Sequence, residues 1–311
     1  MNNSMNFVAE RYPWYGGGEI LEEGFTSAVD VLEATNNNWT VDKVPLMYNH
    51  NGQMLDSSDY AMIRSDTGQQ LGMGKGRYTV VQNQEAFSVA DNLMQKGIIK
   101  VKAFGNSGAK TWMLAEFAKT EIVKNDEMGN YLFMVNSFDG SSPFQFIFTN
   151  LRIICMNMWR AALKSASDVV SLRHTNNIHA KIGFAENAIE MASGHFDEEN
   201  DFLRFLAAKQ VNTSQTMNYL EELFPYNDAD SSRVKTTAHN NRNNIHGLIE
   251  SGHGTDIPGV RGTAFGHLQA TIEYTNYHRR TRGDESKRFE ANMFGSGVPF
   301  INKSSHLLAS I

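Results

Sequence analysis

The sequence predicts an α+β fold: an antiparallel sheet in the N-terminal half with helices packed on it, then a mostly helical C-terminal half. Three observations predict it. Short runs of strand-like alternation follow one another between 60 and 175. The turns between them are too short for parallel crossovers, so neighbouring strands pair antiparallel. After 176, apolar residues recur at helical spacing, and strands first with helices later mark a segregated architecture. The chain of 311 residues, 41% hydrophobic and 20% charged, suits one elaborate soluble domain or two closely joined ones. It divides into an acidic N-terminal extension, 1–59, and a main domain, 60–311, which is sheet-rich over 60–175 and helical over 176–311.

In chain order, the first sixty residues are rich in Asn, Gly and acidic groups, and "YPWYGGG" is a loop signal. This region is expected to wrap the surface, with one short helix over 26–35. "YAMIRSD" and "GRYTVV" read as strands, and the glycine-rich "GMGKG" between them reads as a tight turn. Asn83 is a candidate cap for a helix whose apolar face is Phe87, Ala90, Leu93 and Met94, ended by Gly97. The runs "IIKVKAF", "KTWMLAEF", "TEIVKN", "YLFMVNSFD" and "PFQFIFT" follow as strands. In "NLRIICMNMWRAALKSA" the residues Leu151, Ile154, Met158 and Leu163 fit a helical stripe, and "DVVSLRHT" reads as a strand. Helices are then expected over about 180–195, 198–210, 214–223, 231–251, 263–282 and 285–294.

The formal net charge is −6, which argues against wholesale electrostatic binding to nucleic acid. The charge is uneven, however. Residues 1–60 carry two basic and nine acidic side chains, whereas 232–282 carry seven basic and three acidic ones. A local basic face is therefore compatible with the acidic total. The single cysteine, Cys155, allows no internal disulfide and fits a reducing, cytoplasmic setting. There is no apolar run of about 18 residues and no basic-then-apolar leader, so no membrane span or secretory signal is expected.

No catalytic signature stands clear. "FGNSGAKTW" lacks the Gly-Lys adjacency of a phosphate loop, because Ala109 intervenes, and it runs into a strand. No HExxH and no Cys/His set is present, and a lone helix bearing His267, Glu273 and His278 cannot complete a metal site. No metal or cofactor is expected.

The strongest lead is "GVRGTAFGHLQATIEYTNYHRRTR", 259–282. Thr263 is a fair N-cap, and Phe265, Leu268, Ile272 and Thr275 form an apolar stripe. Tyr274, Tyr277 and the arginines fall off that stripe. Cations suit a helix C-terminus, yet arginines beside tyrosines also suit a single nucleic-acid strand, guanidinium to phosphate and ring to base. The candidate contacts are Arg261, Arg279, Arg280 and Arg282, then Arg152, Arg160 and Lys110, with Trp112, Tyr274 and Tyr277 as stacking rings. The amide-rich "HNNRNNIH", 239–246, is a further candidate for reading base edges.

Five blocks carry a family resemblance: "GRYTVVQNQEAF", "FMVNSFDGSSPF", "NLRIICMNMWRAAL", "LRHT" and "GTAFGHLQATIEYTNYHRRTR". In this order they resemble the phage/plasmid-like proteins grouped as domain of unknown function 932 (DUF932), over about 60–294. The resemblance implies a phage, plasmid or integrated-element context and supplies no catalytic residues.

The expected function is a phage or mobile-element DNA-metabolism protein that binds single-stranded DNA, as an annealing or replication accessory in recombination or replication, acting as a homo-oligomer. Two alternatives stand beside it. One is a metal-dependent enzyme on nucleotides or nucleic acid using Glu116, Glu273, Asp139 or His174. The other is a virion-associated or host-takeover factor that binds another protein.

Overall fold

Seven strands pair antiparallel in the larger sheet of the computed structural model, which describes residues 18–21, 24–152, 157–159, 169–192, 196–283, 287–288, 291–292 and 295–311. The strands are β1 (Gly18–Ile20), β5 (Lys100–Ser107), β6 (Lys110–Val123), β7 (Asp126–Ser137), β8 (Phe144–Arg152), β9 (Asn157–Trp159) and β10 (Val169–Leu172). Their order is β1-β5-β6-β7-β8-β10, with β9 also on β8. Period-two alternation sorts the side chains into rows. Met113, Met134 and Phe146 align on one face, and Leu114, Phe133 and Ile147 on the other. All six are buried, so these strands read as continuous apolar runs. The first face packs beneath α1 (Ala28–Ala34), α2 (Asn83–Ser88), α3 (Asp91–Gln95) and α4 (Ile178–Ala192).

The helical half builds a second core from α5 (Phe196–Ala208), α6 (Thr213–Leu223), α7 (Ser232–Ser251), α8 (Ala264–Glu273) and α9 (Gly297–Ser310). It docks on the far end of the β6–β7 hairpin through Ile122 and Met128. A smaller antiparallel sheet, β2 (Val41–His50), β3 (Gln53–Arg64) and β4 (Gln70–Lys75), sits beside the larger one on a third core of Trp39, Val41, Met62 and Phe138.

Several sequence expectations are corrected. Residues 41–59 do not wrap the surface; they form most of a long hairpin. Its turn is Asn51-Gly52, both at positive φ (51° and 84°), as a two-residue hairpin turn requires. Within "GMGKG" residues 72–75 are strand β4 and only Gly76 lies in a turn, and "GRYTVV" is not a strand. The glycines serve close packing: a Cβ at Gly72 would lie 2.3 Å from the Asp139 Cα. The helix expected over 150–166 is contradicted where it is described. Arg152 ends β8, and Asn157–Trp159 pairs with that strand's edge, so tertiary pairing overrides helical spacing. Asn83 is inside α2 rather than its cap, and its side chain bonds the Asn37 carbonyl and Thr111. The C-terminal α9 was not anticipated.

Candidate nucleic-acid interface

The helix over 263–282 is shorter than its sequence suggests and buried on every side. Thr263 Oγ1 accepts the Gly266 N–H at 3.1 Å, as an N-cap should, and every residue of α8 is buried. Gly266 lets the first turn press on the Val260 carbonyl, where a Cβ would stand 2.4 Å away. Buried polar groups on α8 find internal partners. His267 Nδ1 donates to the Thr263 carbonyl at 2.8 Å, and its Nε2 lies 2.8 Å from Thr216 Oγ1. Burial lowers the pKa of His267, opposed by that carbonyl. Tyr219 meets Thr271 and Ser304 hydroxyls at 2.6 and 2.7 Å, and burial pushes its hydroxyl up to about 12.

After Glu273 the ladder widens into a π-turn, Tyr274–His278, closed by Arg279 N–H donating to the Tyr274 carbonyl at 2.7 Å. Thr271 and Thr275 hydroxyls donate to the carbonyls one turn back, at 3.0 and 2.7 Å, a back-bonding that bends helices. π-turns inside helices occur frequently at functional sites.

The π-turn lies against α7. Tyr274 Oη donates to Asn241 Oδ1 at 2.8 Å. Its ring is buried and shares a cluster with Phe224 and Phe300, at centroid distances of 6.1 and 6.4 Å. Burial raises the Tyr274 pKa, and Arg279 opposes the rise. Two guanidiniums flank this cluster. Arg242 donates twice to the Phe224 carbonyl, at 3.2 and 2.7 Å, and lies over the Tyr226 ring at 4.7 Å. Arg279 lies over Phe300 at 5.1 Å and donates to the Ser296 carbonyl at 3.1 Å.

The predicted contacts therefore separate. Arg280 and Arg282 are exposed and have no ion-pair partner among the described residues. Arg279 is half-buried and held as above. Arg261 pairs with Asp256 at 2.8 Å, at the other end of α8, roughly 22 Å away by helical rise. Tyr274 is a core residue, because Phe224 and Phe300 cover its ring. Trp112 is one too: 1% exposed, it stands in the larger sheet beside Phe133. Neither ring can stack on a base. Tyr277 is half-buried. Lys110 stands at the Asp139 turn of the larger sheet, where it helps lower the Asp139 pKa. Arg152 is a strand residue of β8, and Arg160 lies outside the described residues.

Helix α7 supplies what sequence reasoning weighed lightly. Ser231 caps it, and it buries only Ala238, Ile245 and Ile249. Its remaining face exposes Arg233, Thr237, His239, Asn240, Asn243 and Asn244. No acidic residue occurs from 232 to 249. Of the three acidic residues in 232–282, Asp256 holds Arg261, and buried Glu273 accepts the His253 and Gly254 N–H groups at 3.3 and 2.9 Å. Glu250 is exposed near the opposite end of α7. Tyr226, 41% exposed beneath Arg242, is an accessible ring that the sequence reading passed over.

The residues offered for the enzyme alternative do not form one site. Glu116 accepts the Tyr131 hydroxyl at 3.2 Å on the larger sheet, and Glu273 is in the helical half. Asp139 and His174 do approach each other through Tyr78, which stacks on His174 at 5.0 Å and donates to the Ser137 carbonyl at 2.7 Å. Asp139 Oδ1 accepts the Ser137 hydroxyl at 2.5 Å. Among the described residues no group of three or more His, Cys, Asp and Glu is placed to hold a metal, and no helix is long and apolar enough to cross a membrane.

No curated protein and no solved structure matches the chain. One family does, over residues 70–293, which take in the larger sheet from β5 onward, the π-turn and its arginines. By that match across most of its length, the chain belongs to the family described as Domain of unknown function (DUF932).

Proposed function

We infer that this chain binds a single strand of DNA along the polar face of α7 and the arginines that follow the π-turn, as an annealing or replication accessory in the DNA metabolism of a phage or mobile element. One observation carries the reading. A helix without acidic residues over 232–249 lies directly against the turn that delivers Arg280 and Arg282 to solvent. Local positive charge on an acidic chain concentrates a polyanion at one place. Phosphate contacts come from Arg233, Arg280 and Arg282, and amides of Asn240, Asn243 and Asn244 face the strand. Tyr226 and His239 replace the buried Trp112 and Tyr274 as stacking surfaces, since any base offers a π face to a ring.

The test is a fluorescence-anisotropy titration of the full chain with single- and double-stranded oligonucleotides at low salt. Saturable binding, tighter for the single strand, supports the reading. No binding of either form rejects it.

A further inference from the structure

We propose that the outward face of the small sheet is a self-association surface, on which a second copy of this chain docks around a two-fold axis. Register defines the face. Val44, Ala61 and Met73 form one row across β2, β3 and β4, and Tyr48 stands opposite Leu55 further along the hairpin. The opposite side, with Val41 and Met62, already packs on Trp39 and Phe138. Around Ala61, which is buried between its row neighbours, the outward side exposes apolar side chains: Val44 is 42% exposed, Tyr48 52%, Leu55 38% and Met73 59%. Beyond the body of the protein the hairpin also exposes Met47 and Met54 on its other side, at 53% and 57%. A two-stranded ribbon standing in water is marginally stable by itself, so apolar residues on both its faces call for cover.

Charge and size select the occupant. On the outward side Lys75 pairs with Asp59 at 2.6 Å, while Lys43, opposite Met62 and so on the inward side, sends its amine to the Gly76 and Tyr78 carbonyls, both at 2.8 Å. The face thus presents no free lysine to a nucleic acid and no cluster of like charge to repel its own copy. Two apolar sheet faces stack about 10 Å apart. At about 3.3 Å per residue and about 4.8 Å per strand, the face covers on the order of 400 Å² per copy. The pair then buries on the order of 800 Å², below the about 1,200 Å² at which stable specific interfaces begin, so the contact is a weak, reversible, concentration-dependent dimer. This surface is separate from the α7 face, so the dimer does not rest on the DNA-binding reading.

The experiment is sedimentation velocity of the full chain from about 1 to about 200 μM, a range spanning weak dimers. Two variants accompany it: Tyr48→Lys/Leu55→Lys on the hairpin and, independently, Met73→Lys on β4. Circular dichroism and thermal unfolding verify that each variant is folded. The wild type should pass from monomer to dimer, with both folded variants weakening the dimer at least tenfold. If one variant fails to fold, the other decides. A wild type that stays monomeric throughout overturns the proposal and leaves the face to a different protein. A dimer that neither variant weakens overturns it too, by putting the contact elsewhere.

Discussion

The hydroxyl of Tyr274 donates to Asn241 Oδ1 at 2.8 Å, which fastens the π-turn to the middle of α7. Through this contact a basic tail and a helix without acidic residues over 232–249 become one surface. Removing only the hydroxyl, Tyr274→Phe, should cost about 1 kcal/mol of stability, whereas Tyr274→Ala should cost about 3–5 kcal/mol by emptying the space between Phe224 and Phe300. Urea unfolding measures both. A Tyr274→Ala protein as stable as wild type would mean that the ring is not in the core.

Trp112 makes a parallel case. Its burial beside Phe133 predicts that Trp112→Ala loses about 3–5 kcal/mol. A folded Trp112→Phe variant should bind an oligonucleotide as wild type does. Tenfold weaker binding by that variant would return Trp112 to the interface.

Acid should destabilise the protein from about pH 6.5 downward. Burial is the main cause of the lowered pKa of both His267 and His174. Below the unfolded value the denatured chain takes up protons that the folded chain refuses, so stability falls with pH until each folded pKa is passed. The loss is at most about 1.4 kcal/mol per pH unit for each histidine. Asp139 acts in a lower window. Burial opposes its ionisation, but the Ser137 and Ser141 hydroxyls and Lys110 still hold its pKa down, so its contribution is lost only as pH drops below about 4. Urea midpoints at pH 7.5 and 5.5 test the histidine effect. Equal midpoints would show that neither histidine resists protonation.

Gly72 joins the small sheet to the larger one. Gly72→Ala puts a methyl 2.3 Å from the Asp139 Cα, so backbone must move, and a loss above about 2 kcal/mol is expected. Gly76, with only the edge of Tyr60 at 3.8 Å, should accept alanine with little change. Thermal melts of the two variants compare them directly.

How legible all this was depends on which interactions fix each element. The strands β6 to β8 declare themselves where both faces are covered, at 112–115, 131–135 and 146–148; the largely polar, largely exposed residues 118–121 make the single strand β6 read as two. The hairpin β2–β3 was also readable, since "NG" between extended runs is a strong turn signal, but an acidic composition masked it. Segment 157–159 was not readable: its partner is the edge of β8, and pairing of that kind leaves no local period. The N-cap of α8 was legible at Thr263. Its complete burial was not, because Gln269, Thr271 and Glu273 look solvent-facing until their internal surroundings are known. The charge excess over 232–282 was countable in the sequence. Which cations remain available was not, since Asp256 and Ser296 lie on other elements.

The most direct test of the central claim is the salt dependence of single-strand binding for wild type, Arg280→Ala/Arg282→Ala and Arg261→Ala. Each phosphate contact adds about 0.7 to the slope of log K against log salt for a single strand. The double variant should bind more weakly and lose about 1.4 from that slope, while Arg261→Ala, already paired with Asp256 at the other end of α8, should match wild type. Equal slopes for wild type and the double variant, or a larger loss in Arg261→Ala, would contradict the placement of the strand on this surface.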